Sequence, residues 1–367
     1  MNKKVEIRKM KISYSLMSFL CLSVVSSFTV AKDIAGMAFS HQDWEVACSN
    51  TGTCRAAGYQ DDRRAGNMPV SILLTRKAGA KQPIQAAFAL ANDEQTLEKD
   101  KLKDIHLYIN AQDFGAVTVD GSEPPLMGRL SAQQVKGLLP HAAKNVNIVF
   151  KNADYTWKIS DQGMTAILLK MDDFQQRMGT LGAIVKKGAA SEAKVLMPQP
   201  KLRIKQVNTA TQPYLTLQPQ MQPYLALHKV LMAARPKQPD TGEFCEGIYS
   251  ENSAQPQKIE LYKLSNQKVL ATTLCWRGAY NEGYGAWVMN SSLQGKASFV
   301  TEAASDFAAG EIGSAQKGRG IGDCWAISKW IWNGESFVQT INRSTGMCKG
   351  VAVGGIWNLD LIEAVVK

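Results

Sequence analysis

Residues 330–338 read Trp330-Ile331-Trp332-Asn333-Gly334-Glu335-Ser336-Phe337-Val338. An Asn-Gly pair between two aromatic and β-branched runs is a strong hairpin signal, because glycine adopts the left-handed backbone such turns need. The same pattern extends outward. Lys258-Ile259-Glu260-Leu261-Tyr262 alternates as a half-buried strand does. Val70-Ser71-Ile72-Leu73-Leu74 is a short apolar strand bounded by Pro69 and Gly79. His106 to Ile109, Ala116 to Val119 and Val146 to Phe150 carry the same enrichment, and Asp120-Gly121 reads as a hairpin turn. Met164 to Met171 reads as a further apolar strand, with Asp172 or Asp173 then capping a short helix. Ser131 and Gln134 form a capping-box pair for a clear helix, with Val135, Leu138, Leu139 and Ala142 on one face. Asp360 and Glu363 are the corresponding pair for a final short helix, Leu361 to Val366. The expected fold class is mainly β (α+β): two antiparallel β domains with a few short helices.

The N-terminus carries Lys3, Lys4, Arg8, Lys9 and Lys11, then an apolar run from about Leu16 to Val30 and a small residue at Ala31. This is the pattern of a secretory signal peptide cleaved after Ala31. A membrane span needs roughly 20 apolar residues, and this run is shorter and broken by serines. Leu20 before Cys21 argues against a lipid anchor. The expected product is soluble, periplasmic or secreted. Beyond the leader stand Cys48, Cys54, Cys245, Cys275, Cys324 and Cys348, an even set suited to disulfides in an oxidising compartment. Six cysteines allow about 15 pairings. Local closure favours Cys48–Cys54, Cys245–Cys275 and Cys324–Cys348, the first around the turn sequence Asn50-Thr51-Gly52. No Cys-x-x-Cys and no histidine at ligand spacing supports a zinc site.

The full chain carries a formal net charge of +10. Five basic residues and one acid lie in the leader, leaving about +6, spread as single or paired residues rather than as a basic tract with aromatics. Nucleic acid is therefore not an expected partner. Between residues 189 and 240 the composition changes: Pro198, Pro200, Pro213, Pro219, Pro223, Pro236 and Pro239 fall here, and Gln212-Pro213-Tyr214-Leu215 returns as Gln222-Pro223-Tyr224-Leu225. Proline disfavours regular structure, so this stretch reads as a semi-rigid Pro/Gln-rich linker in which Leu225 to Ala234 can form a short packing helix. The domains expected are 1–31 signal peptide, 32–188 N-terminal β-rich domain, 189–240 linker, and 241–367 C-terminal disulfide-containing β domain.

Several separated motifs carry a resemblance. Phe39 to Gln60 reads FSHQDWEVACSNTGTCRAAGYQ, followed by PVSILLTRKAGA from Pro69. TTLCWRGAYNEGYGAWVMN follows from Thr272, KGRGIGDCW from Lys317 and TGMCKG from Thr345. Together these resemble the bacterial envelope family named for domain of unknown function 1176. The N-terminal half is similar to invasion-associated locus B proteins. The resemblance covers both halves and all six cysteines outside the leader. It implies location and architecture, and supplies no activity.

Catalytic signals are sparse. His41-Gln42-Asp43 is the histidine beside a carboxylate within those motifs, but a catalytic triad needs partners that meet in space. No Gly-x-Ser-x-Gly elbow is present. Gly318-Arg319-Gly320-Ile321-Gly322 lacks phosphate-loop spacing and leads into a strand rather than a helix. No cofactor or metal is expected. The aromatic set Trp276, Tyr280, Tyr284 and Trp287, with Trp325, Trp330, Trp332 and Trp357 further along, reads mainly as core packed on cystines. Within it Arg277, Tyr280, Asn281, Glu282 and Tyr284 lie in a glycine-rich turn and are the candidate binding residues, since Tyr and Arg combine large contact area with polar tips. The expected role is a non-enzymatic protein binding another envelope protein or a cell-wall glycan. The alternative is a periplasmic hydrolase of envelope polymers using His41 or a Glu282-centred site.

Overall fold

A computed structural model describes residues 34–63, 68–92, 98–142, 144–234, 245 and 257–367. The leader and its cleavage site lie outside the described residues. The described residues open with a meander of β1 (Met37–His41), β2 (Trp44–Cys48), β3 (Cys54–Tyr59), β4 (Val70–Arg76) and β5 (Ile84–Leu90). It then forms the hairpin β6 (His106–Ile109) and β7 (Gln112–Ala116), followed by β8 (Thr118–Asp120) and β9 (Leu126–Arg129). β8 and β9 complete a seven-stranded sheet of order β1-β2-β3-β4-β5-β9-β8. The strand expected over 116–119 is thus divided at Val117, whose N–H bonds Ile105 O at 2.8 Å as the chain passes from one sheet to the other.

Helix α1 (Ala132–Leu138) follows, with Ser131 and Gln134 forming the reciprocal capping box. Next come β10 (Ile148–Lys151) and β11 (Thr156–Ile159), which with β6 and β7 build a four-stranded sheet. The run from Met164 is α2 (Met164–Phe174), not a strand. Met164, Ile167, Leu168 and Met171 are buried at i, i+3, i+4 and i+7, the helical period that a short apolar run conceals. Asp172 lies inside this helix and caps nothing at its start. Its Oδ2 instead accepts from the N–H groups of Ile184 and Val185 at 2.6 and 3.2 Å. The two sheets, α1 and α2 enclose one core containing Trp44, Phe88, Phe150 and Trp157.

The proline-rich segment contains regular elements: β12 (Leu202–Ile204), β13 (Leu215–Leu217) and α3 (Gln222–Ala233), the last with proline in its first turn, where no intrahelical N–H is needed. Then come β14 (Ile259–Lys263), β15 (Lys268–Arg277), β16 (Glu282–Asn290) and β17 (Ser298–Ala304), which with β13 form a five-stranded sheet. A second five-stranded sheet holds β18 (Asp306–Ala308), β19 (Glu311–Lys317), β20 (Trp325–Trp332), β21 (Phe337–Ser344) and β22 (Leu359–Ile362). The hairpin at Asn333-Gly334 joins β20 to β21, with Gly334 at φ 103° as the turn requires. Residues 364–366 form β23 (Ala364–Val366), parallel to β12. The final helix is therefore replaced by strands: Asp360 pairs with Arg343 at 2.7 Å and Glu363 with Arg55 at 3.1 Å, so neither carboxylate serves as a cap.

Helix α3 covers one face of the β13–β17 sheet through Tyr224, Leu227 and Leu231, beside the cystine Cys245–Cys275. The opposite side of that sheet shares a core with the second sheet around Ile312 and Trp332. The 347–361 segment lies on the outer face of the first sheet, where Trp357 and Leu359 join Ala57 and Tyr59. All three disulfides form as local closure indicates: Cys48–Cys54, Cys245–Cys275 and Cys324–Cys348.

Candidate functional site

The β15–β16 hairpin presents the candidate turn. Leu274 faces Tyr284 and Trp276 faces Gly283, so Cys275 is an extra residue on β15, a bulge that bends the strand end. Gly283 is required by close approach: a Cβ there would lie 2.3 Å from the Trp276 indole. Trp287 is fully buried and Trp276 half-buried, so these two rings are largely framework. Beyond them the turn is tied to β19. Gly278 N–H donates to Asn281 O at 2.8 Å, closing the turn. The Asn281 amide donates to Lys317 O at 2.8 Å and accepts from Lys317 N–H at 3.0 Å. Gln316 donates to Glu282 O at 3.1 Å, and Tyr280 Oη to Gly318 O at 3.2 Å. Asn281 is thereby committed to holding the turn, while Tyr280 stays 46% exposed.

The side chains beyond the clamp carry charge. Arg277 Nη2 lies 3.0 Å from Glu282 Oε2, and Tyr284 Oη donates to Glu282 Oε1 at 3.3 Å. Glu282 and Tyr284 form part of the wall of a cleft of about 200 Å³ that also takes Lys258, Glu260, Tyr262 and Asp306. Across it the arrangement repeats: Tyr262 Oη donates to Glu260 Oε2 at 3.1 Å, and Lys258 pairs with the other oxygen. Burial, then the Glu260 charge, pushes the Tyr262 hydroxyl up to about 12. Burial and Glu282 likewise raise Tyr284. Both phenols therefore remain protonated at neutral pH and act as hydrogen-bond donors. Asp306 has no hydrogen bond or ion pair from its side chain among the described residues. The cleft offers acceptors and donors at fixed positions.

Lys258, Glu260, Tyr262 and Asp306 were not singled out by sequence. One signal was available: Glu260-Leu261-Tyr262 and Glu282-Gly283-Tyr284 share the order Glu-x-Tyr, and a period of two puts both polar side chains on one sheet face.

The other candidates do not assemble into chemistry. His41 is exposed at the end of β1, and the neighbouring Asp43 carboxylate is bound by Lys349 Nζ at 3.0 Å. His106 Nδ1 does meet Asp113 Oδ2 at 2.9 Å, on the solvent-facing β6–β7 hairpin. The Gly115 N–H, then the His106 contact, hold the Asp113 carboxyl below its ordinary value. Asp323, Cys324 and Cys348 converge, but the two sulfurs are joined, and Asp323 is taken by Arg319 at 2.6 Å and by Gly350 N–H at 2.7 Å. That donor set does not fit a metal. In the 318–322 loop, a Cβ on Gly318 would sit 2.5 Å from Cys324 Sγ and 2.7 Å from Cys348 Sγ. This glycine makes room for a cystine.

No helix among the described residues is long and apolar enough to cross a membrane. No solved structure matches the chain. A relative, the uncharacterized protein YpfG of Escherichia coli (strain K12), is 24% identical over 335 residues, covering 83% of this chain and 86% of its own. The family described as "Protein of unknown function (DUF1176)" matches residues 38–362, and the chain belongs to that family.

Proposed function

We infer that this is an exported, non-enzymatic envelope protein that binds a glycan at the turn between β15 and β16 and the adjoining cleft. The observation that carries the reading is the pair of Glu–Tyr units, Glu260 with Tyr262 and Glu282 with Tyr284, facing one small cleft beside a clamped turn. Carboxylates and phenols in fixed positions read sugar hydroxyls, and pre-ordering them lowers the entropy lost on binding. A cleft of about 200 Å³ is smaller than the roughly 300–1,000 Å³ of drug-sized sites. It suits one ring or chain end, with Arg277 and Tyr280 contacting the next unit.

Export is supported by the basic and apolar leader together with three disulfides, which persist in oxidising compartments. The N-terminal half, which we read as similar to invasion-associated locus B proteins, fits the same placement. The division into a β-rich domain over 32–188 and another over 241–367, joined by 189–240, is retained in this reading.

The test is calorimetric titration of the mature protein with neutral and amino-sugar oligosaccharides, beside the Glu282→Gln and Tyr284→Phe variants. A hydrogen bond to a charged group contributes about 1.5–3 kcal/mol, so each variant is expected to bind at least tenfold more weakly with an unchanged melting temperature. Equal affinity for parent and variants would remove the cleft from recognition. Capture of a protein in place of any sugar, by cross-linking that a Tyr280→Ala, Tyr284→Ala variant abolishes, would assign the same face to a protein partner. Turnover of a sugar would instead establish the hydrolase.

A further inference from the structure

The core between the two five-stranded sheets is closed at Trp332 and open two residues earlier. Trp332 is fully buried, and its indole N–H donates to Ser265 Oγ at 2.8 Å. Trp330 shares its sheet face but is half-buried, at the wall of a cavity of about 390 Å³. The indole N–H groups of Trp44, Trp157, Trp325, Trp332 and Trp357 each have a protein acceptor. Among the described residues Trp276, Trp287 and Trp330 have none; the Trp287 indole is sealed in the core, whereas the half-buried Trp330 ring contributes to a core cluster and also borders the cavity. The register of β20 against β21 slips between Lys329 and Trp330, where Thr340 is the extra residue on β21, a bulge that bends that strand beside the cavity. Phe337 adds a second half-buried ring to the same wall.

Polar groups surround these rings. Lys268 donates to Asn290 Oδ1 at 2.8 Å, leaving two ammonium hydrogens and the Asn290 amide N–H₂ for a ligand. Gln339 and Lys296 lie on the same cavity, and Lys296 has no carboxylate partner among the described residues. The one acid in the lining, Glu335, leaves the cavity with an excess of positive charge. The Glu260–Glu282 cleft has the opposite balance, three carboxylates against one lysine.

We propose that the Trp330 cavity is a second binding site, separate from the Glu260–Glu282 cleft, for an acidic oligosaccharide carrying carboxylate groups. The apolar face of a pyranose ring stacks on Trp330 or Phe337, which excludes water from both. The unused indole N–H and the Asn290 and Gln339 amides take ring hydroxyls. Lys268 and Lys296 take the carboxylate. A cavity of about 390 Å³ falls within the roughly 300–1,000 Å³ of ligand sites and exceeds the first cleft.

Titrating the full mature chain with tetragalacturonate, and separately with uncharged maltotetraose, tests this. Saturable binding of the uronate is expected, at least tenfold tighter than that of maltotetraose. A Lys268→Gln, Lys296→Gln variant should weaken it at least tenfold, and Glu282→Gln, in the other cleft, should leave it unchanged. Because Trp330→Ala removes a core-packed ring from the central strand of its sheet, Trp330→Phe serves as the optical probe: the ligand-induced change in tryptophan emission should disappear while the fold, followed by far-ultraviolet circular dichroism, is kept. Absence of saturable binding, equal affinity for maltotetraose, or indifference to the lysine substitutions would overturn the proposal. Loss of uronate binding through Glu282→Gln alone would also overturn it, by placing the sugar in the first cleft.

Discussion

Arg177 and Arg277 each pair with a glutamate at nearly the same distance, 2.9 Å to Glu192 and 3.0 Å to Glu282, yet they do different work. The Arg177 side chain has no exposed surface, whereas that of Arg277 is 66% exposed. Arg177 also donates to Gln175 Oε1 at 2.9 Å, Lys77 O at 3.3 Å and Gly79 O at 2.6 Å, knitting the end of α2 to the loop after β4. Beside it Arg76 bonds Gly182 O at 2.7 Å and faces Asp172 at 3.5 Å, and burial brings its guanidinium down to about 10. Among the described residues Arg277 bonds only its glutamate, and it stands at the edge of an open cleft. An ion pair withdrawn from solvent, with all three guanidinium nitrogens donating, is structure. The same pair in solvent contributes little to stability and remains free to exchange partners.

The sharpest way to break this comparison is to remove each arginine. Arg177→Met takes the shared donor from Glu192 Oε1 and from the Lys77 and Gly79 carbonyls, a class of change that costs about 3–5 kcal/mol. Urea denaturation should show that loss, and a variant of parental stability would mean that the network is dispensable. Arg277→Ala should stay within about 0.5 kcal/mol of the parent, as surface substitutions do, while weakening glycan binding. Next in size is Gly318→Ala. The added methyl meets both sulfurs of Cys324–Cys348 at 2.5 and 2.7 Å, so overpacking should cost about 1–3 kcal/mol. It should also disturb the Tyr280 contact, since Gly318 O is the acceptor of that hydroxyl. A stable variant with weakened binding would separate the clamp from the packing.

The smallest expected effect concerns a carboxyl intermediate between the two environments. Glu45 accepts from Tyr59 Oη at 2.7 Å, and that hydroxyl accepts from Met347 N–H at 3.1 Å, joining β3 to the segment after β21. Burial raises the Glu45 carboxyl above its ordinary 4.5 in spite of these bonds. The native state therefore holds a proton that the unfolded chain releases. The resulting stabilisation is complete below pH 4.5 and is lost as pH rises through the higher folded value. Denaturation curves from pH 4 to pH 7 should show the parent losing stability relative to Glu45→Gln across that window. Parallel curves would show that Glu45 contributes nothing to the pH dependence.

How much of this was legible in the sequence varies by region. The hairpin at Asn333-Gly334 and the Ser131–Gln134 capping box were readable because each depends on a few adjacent residues. The apolar run from Met164 was read in the wrong period, since eight residues suit a buried strand or a helix equally until the packing partner is known. The Asp360–Glu363 spacing mimics a cap, but the partners of those acids, Arg343 and Arg55, lie far off in sequence. The turn residues Arg277 to Tyr284 were named by composition. Asn281 proved to be a clamp because β19 runs beside it.

By itself the sequence determined the β-rich class, favoured local closure of the cystines and marked the turn that carries aromatic and charged groups. Those features follow from backbone preferences and short loops, which a few neighbouring residues set. Only the tertiary structure decided that Glu260 and Tyr262 share a cleft with Glu282 and Tyr284, that Trp332 is sealed while Trp330 is open, and that Arg177 is framework. Each of these depends on which strands lie side by side and how much water their contact leaves, and that is fixed by pairings between residues tens to hundreds of positions apart.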